Sequence, residues 1–62
     1  MFLQLTNGEG VAVLANFDLV EQVSVIDKAQ HLRSKLHFSQ SVLYVREDYQ
    51  TIQQLLQRRQ ME

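Results

Sequence analysis

Five side chains in one ten-residue stretch carry most of the chemistry this chain could perform: Lys28, His31, Arg33, Lys35 and His37, with no acid anywhere in residues 28–37. Imidazole is the side chain whose unperturbed titration falls nearest neutrality, so acid–base or metal work would have to run through His31 and His37. A metal needs imidazole, thiolate or carboxylate companions at defined spacing, and the intervening segment 32–36 is basic and repels a cation. Contact with an anion fits better, because each Lys or Arg that meets a phosphate releases condensed counterions. Lys28, His31, Arg33 and Lys35 are therefore the candidate anion or partner contacts, with the two histidines expected to face solvent beside a loop. The chain has no cysteine, no Gly-x-Ser-x-Gly elbow and no phosphate-cradling glycine loop. No catalytic residue, cofactor site or metal site is expected, and the protein is read as no enzyme.

The charge is strongly divided along the chain. Residues 1–27 hold Glu9, Asp18, Glu21 and Asp27 and no cation, whereas all six Lys and Arg lie in residues 28–62 beside Glu47, Asp48 and Glu62. A net charge of −1 thus conceals an acidic front half and a basic back half, an asymmetry that favours contact between opposite surfaces of one molecule or of two copies. The overall pI near 6.0 and the lack of aromatic residues interleaved with the basic ones in sequence count against a nucleic-acid role.

The elements that must position these residues are legible from periodicity. Leu3 and Leu5 alternate with polar neighbours over residues 2–6, the period of a half-buried strand. Asn7-Gly8 then predicts a tight hairpin turn of type I′, with Gly10 as a second permissive position. Val11, Val13 and Ala15 give the return strand one inward face over 11–15. Asn16-Phe17-Asp18 predicts a side-chain-held turn, continued by Leu19 and Val20 as a helical turn. Val23, Val25 and Ile26 mark a third strand over 21–26. Residues 27–34 read as a connection whose ends can extend the flanking strands. Leu36 and Phe38 face inward in a strand over 35–39, Gln40-Ser41 turns, and residues 42–46 form a fifth strand with Leu43 and Val45 on one face and Val42 and Tyr44 on the other.

The period then changes. Tyr49, Ile52, Leu55, Leu56 and Arg59 fall on one stripe of an amphipathic helix over about 49–60, with Asp48 as N-cap and Arg58 and Arg59 suited to its C-terminal dipole. The opposite face is glutamine-rich and expected to be solvated. The fold class expected is mainly β with one helix: a bent antiparallel meander of about five strands, small-barrel-like in its curvature, with the C-terminal helix packed on it. A single domain is the only count that 62 residues support. With no 18-residue apolar run and no basic, apolar leader at residues 1–6, neither a membrane span nor a signal peptide is expected, and a cytoplasmic location follows.

Leu5-Thr6-Asn7-Gly8, Asn16-Phe17-Asp18-Leu19-Val20-Glu21-Gln22-Val23, Leu36-His37-Phe38-Ser39 and Val45-Arg46-Glu47-Asp48 together resemble the small FlbD/SwrD-type flagellar and swarming-motility proteins. The resemblance covers almost the whole chain and implies the same strand–hairpin–helix order and a bacterial or phage origin. It departs at Phe17, where that family prefers Pro, at Gln40-Ser41, which replaces a second Asn-Gly, at Asp48, which replaces Ser, and in the 27–34 connection, which is longer. A weaker topological likeness links the strand order to the first half of a LytTR-type domain.

A chain this small and free of cysteine lacks disulfide or thiolate–metal support, which leaves oligomerisation as the remaining stabilising device. The function expected is a non-catalytic adaptor or assembly protein that self-associates, through the first or last strand as a free edge, and binds another protein. Phe2, Tyr44, Tyr49 and Ile52 are its candidate anchors. The alternative is a nucleic-acid-binding regulator using the basic 28–37 segment with Arg58 and Arg59.

Overall fold

The computed structural model describes residues 1–26 and 31–61, with side chains through Arg58. Five antiparallel strands, β1 (Phe2–Thr6), β2 (Ala12–Asn16), β3 (Gln22–Val25), β4 (Ser34–His37) and β5 (Val42–Val45), precede helix α1 (Tyr49–Met61). The class is mainly β with one helix, as periodicity predicted. The strands divide into a β1–β2 hairpin and a three-stranded sheet in the order β3-β4-β5. One isolated antiparallel bridge, Asn7 to Val45, joins them, and the Arg46 amide donates to the Thr6 carbonyl beside it.

Through that bridge the strand order becomes β2-β1-β5-β4-β3, which leaves β2 and β3 outermost. The expected edge on the first or last strand is present in part: β1 and β5 each stand at the edge of their own sheet and touch only where Thr6 and Asn7 meet Val45 and Arg46. No described strand pairs with the outer side of β1 at Phe2 and Gln4, and β2 and β3 are edges as well. The same geometry rules out a closed barrel, because closure would require β2 and β3 to pair. Helix α1 covers the opening instead, lying against β3.

Alternation decides what each strand buries. Leu3 stands opposite Ala15 and Leu5 opposite Val13; Val23, Leu36 and Leu43 form one row across the second sheet, and Ser34 and Val45 lie in the next. The core so assembled is Leu3, Leu5, Ala15, Leu36, Val45 and Ile52, each no more than 3% exposed. Ser34 is the buried polar member, and its Oγ donates to the Glu47 carbonyl at 2.7 Å, which satisfies a hydroxyl that would otherwise be costly to bury.

The turns refine the expected chemistry. Asn7 does open the first hairpin, but by a longer loop than a two-residue type I′ turn. The Gly10 amide donates to the Asn7 carbonyl and the Asn7 amide to the Val11 carbonyl, each at 3.0 Å, while the Asn7 side-chain oxygen accepts from the Glu9 and Val11 amides. Of the two glycines only Gly10 has a positive φ, +81°, so the left-handed position falls at the end of the loop, where three-residue hairpin loops place it. The second turn is held as expected: Asn16 Oδ1 accepts from the Asp18 amide and the Asn16 carbonyl from the Leu19 amide. It is a single β-turn, without the helical turn expected at Leu19 and Val20. Between β4 and β5 the Phe38 amide donates to the Ser41 carbonyl, which centres that turn one residue earlier than read. The Ile26 amide reaches the Arg33 carbonyl, so the ends of the 27–34 connection do extend the β3–β4 hairpin.

Asp48 caps α1 as expected, its Oδ1 accepting from the Thr51 amide at 2.8 Å. The carboxyl is held below its ordinary 3.8, first by that backbone donor, then by the Thr51 hydroxyl, against slight desolvation and with help from the Arg33 guanidinium. A depressed carboxylate contributes stability that is present above its unfolded value and is lost as pH falls through the folded one. Acidification below the ordinary carboxylate range is therefore expected to fray the first turn of α1, read as movement of the Thr51 amide resonance. Asp48→Asn should flatten that pH response; a Thr51 amide that ignores pH in the parent would refute the capping account.

Candidate functional site

The surface features that could serve a function follow from the side of each strand that the core leaves outside. On the β1–β2 hairpin the outward residues are Phe2, Gln4 and Thr6 opposite Asn16, Leu14 and Ala12. Phe2 is 52% exposed and Leu14, its diagonal neighbour, 68%. On the second sheet the outward rows are Gln22–His37–Val42 and Ser24–Lys35–Tyr44. Lys35 Nζ sits 5.6 Å from the centroid of the Tyr44 ring, within cation–π range. His37 Nε2 and Ser24 Oγ are 2.7 Å apart. Val42 and Tyr44 are both exposed, so within one molecule only the inner face of β5 is covered.

Strand β2 has its own open side. The bonds from the Asn7 amide to the Val11 carbonyl and from the Phe17 amide to the Met1 carbonyl show that odd-numbered residues of this segment turn their backbone groups toward β1. By the alternation of an antiparallel ladder, the N–H and C=O of Ala12 and Leu14 point the other way. No described strand pairs with that side. The strand itself, Ala-Val-Leu-Ala-Asn, is uncharged.

The expected site residues fall in separate places. Phe2 lies five residues before Asn7, whose bridge partner is Val45, so about 17 Å of strand separates it from the neighbourhood of Tyr44. Tyr49 opens α1 and lines, with Met1, Phe17, Val20, Val23 and Leu56, a cleft of about 390 Å³. Ile52 is 1% exposed within the core; it anchors the helix to the sheets and forms part of the floor of that cleft, so it is a core residue and not the exposed anchor expected. The reason is its position on the helix stripe, which faces inward one turn after Tyr49.

Of the anion-contact candidates, Lys28 lies outside the described residues. His31 and Arg33 are exposed, and Lys35 is half-buried on the outward sheet face. His37 lies on the outward side of β4, as the alternation over 35–39 predicted, but it is half-buried and bonded to Ser24 and does not simply face solvent. Arg58 is exposed on α1, and the Arg59 side chain lies outside the described residues. Arg33 precedes β4 and Arg46 follows β5, so the pairing of Ser34 with Val45 sets both at one end of the same ladder. Arg46 Nη2 donates to the Gly8 carbonyl at 2.8 Å, and its Nε is buried without a partner. Among the described residues no three His, Asp or Glu side chains gather as a metal would require.

Two features escaped the sequence reading. Leu14 was discoverable, since an inward Val13 and Ala15 oblige it to face out. The Lys35–Tyr44 pair was not, because nothing local states the register of two strands. No family model, no curated protein and no solved structure matches the chain.

Proposed function

We propose that this protein is a non-catalytic adaptor that self-associates through the open side of β2 and holds another protein. The observation that supports the reading is the backbone of Ala12 and Leu14, paired with no described strand on the open side of an uncharged β2, beside exposed Leu14 and Phe2. Natural proteins defend such an edge with charge, proline or a covering element; β2 carries no charge and no proline, and no described strand pairs with its open side. Antiparallel pairing about a twofold axis at Val13 would set Ala12 opposite Leu14 of the second copy and continue the hairpin as a four-stranded sheet. The outermost strand β3 is then left for an extended segment of another protein, which would add by the same mode.

A bacterial or phage origin, implied by the FlbD/SwrD-type resemblance, and the cytoplasmic location expected from the sequence belong to the same proposal.

Absolute mass by light scattering after size exclusion tests it. The parent is expected to run as a multiple of the monomer mass and to remain so at high salt, since an uncharged ladder is indifferent to screening. Leu14→Lys, placed where the side chain is already exposed, is expected to yield folded monomer. A parent that stays monomeric at high concentration, or a Leu14→Lys variant of unchanged mass, would sink the reading.

A further inference from the structure

The geometry points to the outward face of β4 and β5 as a binding site for single-stranded nucleic acid, with Tyr44 stacking on a base and Lys35, Arg33 and Arg46 meeting phosphates. This inference stands apart from self-association, because the face lies two strands away from the open side of β2 and does not depend on a second copy.

The register carries the argument. In sequence the basic residues have no aromatic companion, but the pairing of Lys35 with Tyr44 places an ammonium over a ring that is 40% exposed. A positively charged strip that tracks a backbone, next to an aromatic plane for a base, is the combination by which single strands are held without sequence readout. The six outward residues of the three-stranded sheet include no Asp or Glu. Arg33 and Arg46 stand at the Ser34–Val45 end of the ladder, the Arg46 guanidinium donating to the Gly8 carbonyl and Arg33 near Asp48, so each would meet a phosphate with the part of its fork left over from those contacts. Two carboxylates lie at that same end: Glu47, which accepts from Thr6, and Asp48, which caps α1 and feels the Arg33 charge, so the uncompensated positive charge of the face is centred on Lys35. Tyr44 does no core work, since its strand buries the alternate residues Leu43 and Val45.

Fluorescence anisotropy of labelled oligo-dT and oligo-U of about 15 nucleotides, the upper span of a small β module's site, provides the test. Both strands are expected to bind, and the ratio of their affinities tells DNA from RNA as the preferred source of the phosphates. Three phosphate contacts predict roughly a twentyfold loss of affinity between about 50 and about 200 mM salt. Tyr44→Ala is expected to weaken binding at least about fivefold, with Tyr44→Phe close to the parent. Lys35→Gln should lower both the affinity and the salt slope. Circular dichroism of each variant confirms that the sheet survives. Absence of an anisotropy change at low salt, equal binding of a duplex, or full affinity in Tyr44→Ala with loss only in Lys35→Gln would overturn the proposal; the last result would indicate an acidic protein surface instead.

Discussion

Leu36→Ala is expected to remove a large share of the stability of the fold. Leu36 is completely buried at the middle of β4, between Val23 on one side and Leu43 on the other, and beneath the helix anchored by Ile52. Truncating a buried leucine costs about 2–5 kcal/mol, from lost transfer free energy and from the cavity that incomplete collapse leaves behind. Against this stands a total of roughly 3–9 kcal/mol for 62 residues at the usual 0.05–0.15 kcal/mol per residue. One substitution thus removes a large share of the whole. Urea unfolding followed by circular dichroism should show a lower midpoint with an unchanged slope, and at the upper end no folded baseline. A midpoint within experimental error of the parent would mean that the two sheets do not close over Leu36 as described.

Glu47→Ala is expected to cost about 2–3 kcal/mol, an effect far above that of an ordinary surface carboxylate. Glu47 stands between β5 and α1, and its two oxygens accept from the Thr6 amide at 2.8 Å and from the Thr6 hydroxyl at 2.9 Å. Bonds to a charged acceptor contribute about 1.5–3 kcal/mol, and removing the acceptor leaves a partly buried donor unsatisfied. Thr6 is also the residue whose carbonyl receives the Arg46 amide, so the loss falls where the two sheets meet. Amide hydrogen exchange is the direct measurement: Thr6 and Arg46 should exchange much faster in Glu47→Ala while the β3–β4 amides change little. A double-mutant cycle with Thr6→Val isolates the pair. Additive effects in that cycle would show that the Thr6 hydroxyl contributes nothing and that Glu47 acts through the Thr6 amide alone.

These two residues also mark the limit of what patterning can reveal. Leu36 was assigned inward by simple alternation, as were Leu3, Leu5 and Val45, because a strand half in water must place its apolar residues on one side. Ile52 was found by the helical stripe and Asp48 by the chemistry of orphan amides. Glu47 gave no signal, since a carboxylate before a helix reads equally well as a solvated dipole partner. Its role depends on Thr6, forty-one residues away, being brought alongside by the Asn7–Val45 bridge. The candidate anchors show the same division: Phe2, Tyr44 and Tyr49 are exposed but on separate surfaces, while Ile52 is consumed by the core.

What the residues alone determined about this protein is local: five strands and a helix, their inward faces, the positions of the turns and the cap. Period, turn propensity and capping act within a few residues, and each leaves its mark in the order of side chains. Only the tertiary structure decided that β1 meets β5, that β2 and β3 are outermost, that the barrel stays open under α1, and that Tyr44 lies beneath Lys35. Those outcomes depend on which strand ends satisfy one another's backbone groups and on cross-strand register. Both are set by the joint free energy of distant segments and not by any one of them.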